Sequence, residues 1–318
     1  MRRLWPLLRV LVGVGILAGL VVHLGTGAFV DGLRAIETGS VLAALGIGLL
    51  TTVFSAWRWC LVARSLGLRL PLTVAVADCY RALFLNSVLP AGVLGDVHRA
   101  VSHGRRAGDV GRGVRAVVLE RVAGQVVLMV AGVGVLLAQP TPLAAAAGDL
   151  IPGREATAGM TAVLAAVVAL GAWTLRGRRA SGIRNALRTG LADGRTGVLS
   201  RDTWPGVVLL SVAALAGYLA LFVVAARAAG SQATVGELLP LLVLGLLVMG
   251  LPINIGGWGP REAVTAIAFG AAGLGATQGL TTAVVYGVLS LIACLPGVGV
   301  LLRRGSGGSR RPLTWRGC

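Results

Sequence analysis

The stretch NSVLPAGVLGDVHRA, residues 86–100, decides how this chain folds. An apolar run enters it, breaks over Pro90, Gly92 and Gly95, and leaves through Asp96, His98 and Arg99. Proline removes a backbone donor and glycine frees the backbone, so a helix arriving here stops and restarts. A second stretch, LPINIGGWGPREA at residues 251–263, repeats the layout. Each opens on Leu-Pro (Pro90, Pro252), with a glycine five residues after the proline (Gly95, Gly257) and an arginine nine after it (Arg99, Arg261). Apolar segments interrupted by Pro and Gly at matching points of two halves point to a transporter-type binding site.

Around these stretches the composition is that of a membrane protein. Of 318 residues, 56% are hydrophobic and 13% charged, where a soluble chain carries about 25% charged. Mean hydropathy is +0.84. Several apolar runs reach the roughly 20 residues that a bilayer crossing requires. The expected fold is all-α: a polytopic transmembrane helical bundle of about eight spans, with re-entrant hairpins and two pseudo-repeated halves. A net charge of +17 would also suit nucleic acid. However, every basic residue is Arg, and these fall mainly between apolar runs at alternate ends, the positive-inside pattern. Aromatics, at 5%, supply no surface on which bases could stack. The expected partner is therefore membrane lipid with a polar, anionic headgroup, not nucleic acid. Cys60, Cys79, Cys294 and the terminal Cys318 lack paired spacing, so they suggest neither a disulfide framework nor a zinc site.

Taken in order, residues 10–30 form a first span, kept as an anchor because its apolar core is too long for a cleaved signal. Residues 41–62 form a second, with Trp57 and Trp59 as interface anchors and Arg58, Arg64 and Arg69 marking its cytoplasmic end. Residues 73–94 are flawed as a span: they carry Asp78 and Arg81, then the first break, then the basic cluster Arg99, Arg105, Arg106, Arg112 and Arg115. A re-entrant hairpin keeps both flanking basic loops on one side. Its broken backbone must be surrounded by protein or line a wet cavity. Residues 117–138 form a third span with Glu120 and Arg121 in its first turn, and residues 157–175 a fourth.

Residues 176–204 are rich in Arg, with Ile183, Leu187 and Leu191 recurring every four residues. They either lie as an amphipathic helix on the inner leaflet or act as a solvated linker between halves 1–175 and 205–302. Residues 206–229 form a fifth span, residues 235–251 lead into the second break, and 261–273 and 281–302 are the last runs. A basic tail, 303–318, is expected to be disordered. Counting every run as a span leaves both termini cytoplasmic and both Pro-Gly stretches on one side. An inverted repeat would oppose them, and making 235–260 a hairpin restores that inversion but exports the basic tail. The charge rule favours the first arrangement.

Eight charges lie in or beside apolar runs: Asp78, Arg81, Asp96, Arg99, Glu120, Arg121, Arg261 and Glu262. A charge at the bilayer centre costs about 2.5–3.5 kcal/mol on insertion scales, so these must pair or face water. Asp78 can pair with Arg81, Asp96 with Arg99, and Glu120 with an arginine of either hairpin. Such pairs either lock helices together or line a polar cavity that accepts an anion, and the duplicated spacing favours the cavity. A restarted helix presents free N–H groups and a positive dipole end to an anion. Gly92, Gly95, Gly256, Gly257 and Gly259 allow close backbone approach. Arg99 and Arg261 can grip phosphate through two parallel hydrogen bonds. Asp96 and Glu262 would orient those guanidiniums, Glu120 and Arg121 would close the cavity, and Asn86, Pro90, Pro252 and Asn254 complete the expected binding set. No cofactor is expected. Ser87, Asp96, His98 and Ser102 resemble a hydrolase set, but no G-x-S-x-G elbow accompanies them. Asp96, His98 and His103 fit no familiar metal spacing, no paired aspartates are present to hold magnesium, and the absence of Lys excludes a Walker loop.

The order LPAGVLGDVHRA, then LERVAG at residues 119–124, then LPINIGGWGPREA, then LPGVG at residues 295–299 resembles the lysylphosphatidylglycerol synthase transmembrane region, a flippase-like family. The likeness runs over roughly residues 10–302. It implies a lipid flippase fold. In bifunctional members a separate soluble domain transfers the aminoacyl group. This chain is expected to lack that domain, and so to be a lipid transporter and not a synthase. A lipid-modifying transferase using Asp96 and His98 is one alternative, and a membrane subunit that anchors a separate soluble enzyme or self-associates is another. His98 and Asn254 depart from the family pattern, which is usually apolar at the first position and often Ser at the second.

Overall fold

The computed structural model describes residues 27–34, 36–89, 93–138, 188–250 and 258–305. The expected first and fourth spans, most of the basic linker, the tail, and Pro90, Gly92, Pro252, Asn254, Gly256 and Gly257 lie largely or wholly outside them. The described residues form helices α1 (Gly27–Arg34), α2 (Thr38–Ser65), α3 (Leu72–Val88), α4 (Leu94–Ala107), α5 (Val110–Ala138), a π-helical turn (Gly194–Val198), α6 (Trp204–Ala228), α7 (Val235–Met249), α8 (Pro260–Ala271), α9 (Ala276–Cys294) and α10 (Pro296–Gly305). No strand occurs among them.

Length separates the helices into two kinds. Four described segments are long and apolar enough to cross a bilayer: Thr38–Ser65, Val110–Val135, Trp204–Ala228 and Ala276–Leu302. At a rise of ~1.5 Å per residue, α3, α7 and α8 extend about 25, 22 and 18 Å, short of a ~30 Å hydrocarbon layer. Each of these three abuts a break, α3 the first, α7 and α8 the second. The run expected to cross at 261–273 is therefore too short to do so as a single helix.

The local chemistry explains where the helices start and stop. Thr234 and Glu237 form a reciprocal capping box at the head of α7, satisfying two donors that a helix start leaves open. Gly230, at φ +87°, ends α6, where Ser231 N–H reaches back to Ala226 O at 2.9 Å. Only a residue without Cβ turns there without strain. α8 starts with Pro260 at its first position, after Gly259 at φ +102°.

Two main hydrophobic clusters hold the described helices together. One cluster joins Ala56, Trp59 and Ala63 of α2 with Ala75 and Cys79 of α3, Ala100 of α4, and Ala116 and Val117 of α5. A second joins Phe222 and Ala225 of α6, Leu238 and Leu242 of α7, Phe269 of α8, and Tyr286 and Leu289 of α9. α2 and α6 pack closely, with Gly206 against Leu61 and Gly217 against Thr51. The outer surface is apolar: Met129, Val130 and Leu209 are 59%, 69% and 69% exposed. Seven charged residues are inside, Arg58, Asp78, Arg81, Arg99, Glu120, Arg261 and Glu262 all being buried. This polarity is that of a protein whose solvent is lipid. The chain is a multi-pass membrane protein.

Two expectations about α2 and α5 change. Trp57 is half-exposed, as an interface anchor should be, but Trp59 is fully buried. Two residues turn a helix by about 200°, so both rings cannot face outward. α5 begins at Val110, not near residue 117. Glu120 and Arg121 therefore lie about 15–16 Å along it, far beyond its first turn.

Candidate functional site

The first break is braced by side chains on both sides. Asn86, near the end of α3, accepts from Gly95 N–H at 2.8 Å and donates to Asp96 Oδ2 at 3.0 Å. A Cβ at Gly95 would fall on the backbone of Ala82, so glycine is what lets α4 dock against α3. The N–H of Gly95, expected to be open to an anion, is thus already capped.

From Asp96 an ion-pair chain crosses the bundle. Asp96 Oδ1 accepts from Arg99 Nε and Arg121 Nη2, each at 2.8 Å. Arg99 Nη2 donates to Glu120 Oε2 at 2.7 Å. Glu120 Oε1 accepts from Arg58 through Nε at 3.0 Å and through Nη2 as well. Arg58 Nη1 reaches Ser211 Oγ on α6 at 3.0 Å. The chain joins α2, α4, α5 and α6. Burying such charges is tolerable only when each is paired. A separate pairing holds Asp78 between Arg81 and Arg106.

The second break is pinned by its own arginine. Arg261 pairs with Glu262, whose other oxygen accepts from Gly259 N–H at 2.6 Å. Its guanidinium lies 5.2 Å from the Trp258 ring and 5.1 Å from the Tyr286 ring. Tyr286 in turn stacks on Phe222, with ring centroids 4.1 Å apart. Arg99 has a matching aromatic face, 4.8 Å from the Trp59 ring. At corresponding points of the two stretches, then, an arginine is held between a carboxylate and an aromatic ring. Each is almost wholly buried.

A cavity of about 360 Å³ lies among the helices. Its lining includes Arg58 and Thr51 of α2, Asn86 and Ser87 of α3, Asp96 of α4, and Arg121, Gln125 and Leu128 of α5. Ser211, Tyr218 and Leu221 of α6, Met249 and Gly250 beside the second break, and Tyr286 and Cys294 of α9 complete its main walls. Residues flanking both breaks therefore border one space. Of the expected set, Asn86, Asp96 and Arg121 line it. Arg99 and Glu120 border a small adjoining void of about 20 Å³. Arg261 sits behind the wall that Tyr286 and Met249 form, with its Nη1 at 3.9 Å from Met249 Sδ. Gly95, Gly259 and Glu262 brace the breaks without lining the cavity among the described residues.

Two guanidiniums border this space, Arg58 and Arg121, and Arg121 is the more exposed. It donates to Asp96, and its side chain retains 43% exposure. Arg58 and Ser211 were not foreseen as cavity residues. Thr51, Ser55 and Arg58 follow i, i+4, i+7 spacing, one polar stripe on an apolar helix. That stripe was the available signal. With Arg64 and Arg69 just beyond it, Arg58 reads in the sequence as a marker of the cytoplasmic end of the span.

No curated protein and no solved structure matches this chain. A family model does, that of the lysylphosphatidylglycerol synthase TM region, matched over residues 7–297. With both breaks, the α5 pair Glu120–Arg121 and most of the α9–α10 segment inside that match, the chain belongs to the lysylphosphatidylglycerol synthase transmembrane-region family.

Proposed function

We propose that the central cavity holds the phosphate-bearing headgroup of a polar lipid and that the chain carries this lipid between the leaflets of the cytoplasmic membrane. The observation behind this reading is a charge imbalance inside the bundle. Arg58, Arg99 and Arg121 face Asp96 and Glu120, so the connected cluster has one guanidinium more than it has carboxylates. The surplus lies at Arg121, the half-exposed member at the cavity wall, where an anion would neutralise it. Arg121 supplies the open donors, and a guanidinium suits phosphate oxygens. Arg99 and Arg261 hold the two broken segments in place, and Asp96 aims Arg121. The basic loop ends lie on the cytoplasmic side by the positive-inside rule.

A transferase built on Asp96 and His98 has less support. Asp96 is held by two guanidiniums and an amide, and His98 is absent from the cavity lining among the described residues. Translocation of a fluorescent phospholipid in proteoliposomes tests the proposal. Arg121→Ala is expected to reduce the rate at least about tenfold, and the Arg99→Ala, Arg261→Ala double variant to abolish it. Active wild-type protein with an unaltered rate in Arg121→Ala refutes the assignment.

A further inference from the structure

The basic segment 188–204, which runs into α6, lies apart from the central cavity and supplies none of its lining among the described residues. We infer that this segment is a membrane-surface clamp. It seats Leu191, Leu199 and Trp204 at the headgroup level of the cytoplasmic leaflet and gathers anionic phospholipid there through Arg188, Arg195 and Arg201. This contact is separate from the cavity and does not depend on what the cavity holds.

The depth of the segment is fixed by what it packs on. Val198, in the π-helical turn, is buried against Val62 of α2 and Val207 of α6, with Leu119 of α5 alongside. A Cβ at Gly197 would meet Ser65 Oγ at 2.9 Å, and Gly194 faces Leu119. Arg115 Nε donates to Asp193 Oδ2 at 2.6 Å, which ties the turn to α5. Val62 and Ser65 stand in the last turn of α2, a helix of 28 residues. Such a helix extends about 42 Å, past a hydrocarbon layer of ~30 Å, so its last turn lies among the headgroups. The segment packed on that turn lies at the same level.

The groups that the segment leaves outside this packing are both apolar and basic. Leu191 and Leu199 are 69% and 67% exposed, and Trp204 is half-exposed. Trp204, Val208 and Val212 recur every four residues on α6 and are all exposed, so one helical face runs from the lipid-facing wall up to Trp204. An indole at the end of such a face belongs at the membrane interface. Arg188, Arg195 and Arg201 are exposed in the same segment, and Arg64 is exposed at the end of α2. Against them the segment sets two acids, Asp193, already bound to Arg115, and Asp202. Guanidiniums among phosphates and apolar side chains at the acyl boundary are how an interfacial segment holds an anionic leaflet. A soluble acidic protein would match the arginines, but the exposed face of α6 continues into the bilayer, and lipid covers both.

The test uses the full chain in nanodiscs, with all four cysteines replaced by Ala and a nitroxide label carried by Leu199→Cys. Access of the label to oxygen, which concentrates in lipid, is compared with access to a neutral nickel chelate, which stays in water. In discs of phosphatidylcholine and phosphatidylglycerol in equal parts, oxygen access is expected to exceed chelate access. In discs of phosphatidylcholine alone, or at about 1 M salt, where the Debye length is ~3 Å, chelate access should rise roughly threefold. The Arg188→Gln, Arg195→Gln, Arg201→Gln variant should show that raised access even in the anionic discs. A label open to the chelate in anionic discs, or shielded from it only when a soluble acidic protein is added, overturns the inference. A label held in lipid whatever the lipid charge, the salt and the three substitutions overturns it too, because insertion would then owe nothing to anionic headgroups. Should the triple variant fail to fold, the salt and phosphatidylcholine comparisons with all three arginines in place decide.

Discussion

At the scale of single residues, Glu120 is the keystone, since two buried guanidiniums depend on it. Glu120→Gln keeps its shape but leaves Arg58 without a carboxylate and Arg99 with Asp96 alone, and breaking a buried pair costs about 3–5 kcal/mol. The thermal midpoint of the purified protein should fall well below that of Gln125→Leu, a cavity change outside the ion-pair chain. His103 provides a pH test on α4, outside the spans. It is buried against the edge of Trp59, with Nε2 lacking a partner. Burial lowers its pKa, the Arg106 guanidinium adds to that, and Asp78 opposes both. The unfolded chain protonates this imidazole near pH ~6.5 while the folded one resists. The histidine's contribution is therefore intact above that pH and is lost as pH falls through it toward the folded value. Melting curves from pH 8 to 5 should show the wild type losing stability more steeply than His103→Gln.

At the scale of elements, the fit of α4 between α3 and α5 depends on missing side chains. Gly95 meets the Ala82 backbone, and Gly113 of α5 meets Gly104 and the Ala100 carbonyl. Gly95→Ala should push α4 off α3, costing on the order of 1–3 kcal/mol as overpacking does. It should also weaken lipid retention, because Asn86 and Asp96 would separate. A control at Gly134, where a Cβ meets nothing, should leave both unchanged. The second break has a similar dependence: a Cβ at Gly287 would strike Arg261 and Trp258. Gly287→Ala should therefore loosen α8 against α9, read as faster proteolysis around the second break.

At the scale of the whole molecule, the protein is polar at its centre and apolar at its rim. In a background with all four cysteines replaced by Ala, a cysteine at position 121 should react with a membrane-impermeant cationic thiol reagent through the wet cavity. A cysteine at position 130, on the lipid-facing side of α5, should react only with a lipophilic maleimide. Labelling of both by the water-soluble reagent would place the outer face of α5 in water and undo the membrane arrangement.

The class of fold and the location of both breaks were legible in the chain, because hydropathy and Pro-Gly punctuation act locally. The local pairs Asp78–Arg81 and Asp96–Arg99 were legible too, since three residues bring side chains onto one helical face. The roles within the site were not. Arg99 and Arg261 carry the repeated spacing, yet packing turns both inward onto carboxylates and rings. Arg121, with no repeat to mark it, is left facing the cavity. Whether an arginine meets a ligand or a neighbouring acid depends on which helices close over it. Those contacts join residues as distant as Arg58 and Ser211, beyond the reach of any periodicity. The sequence by itself determined the solvent, the broken helices and most of the charges to be buried. Only the tertiary structure decided which of those charges was left over, because neutralisation inside a bundle is settled between helices and not along them.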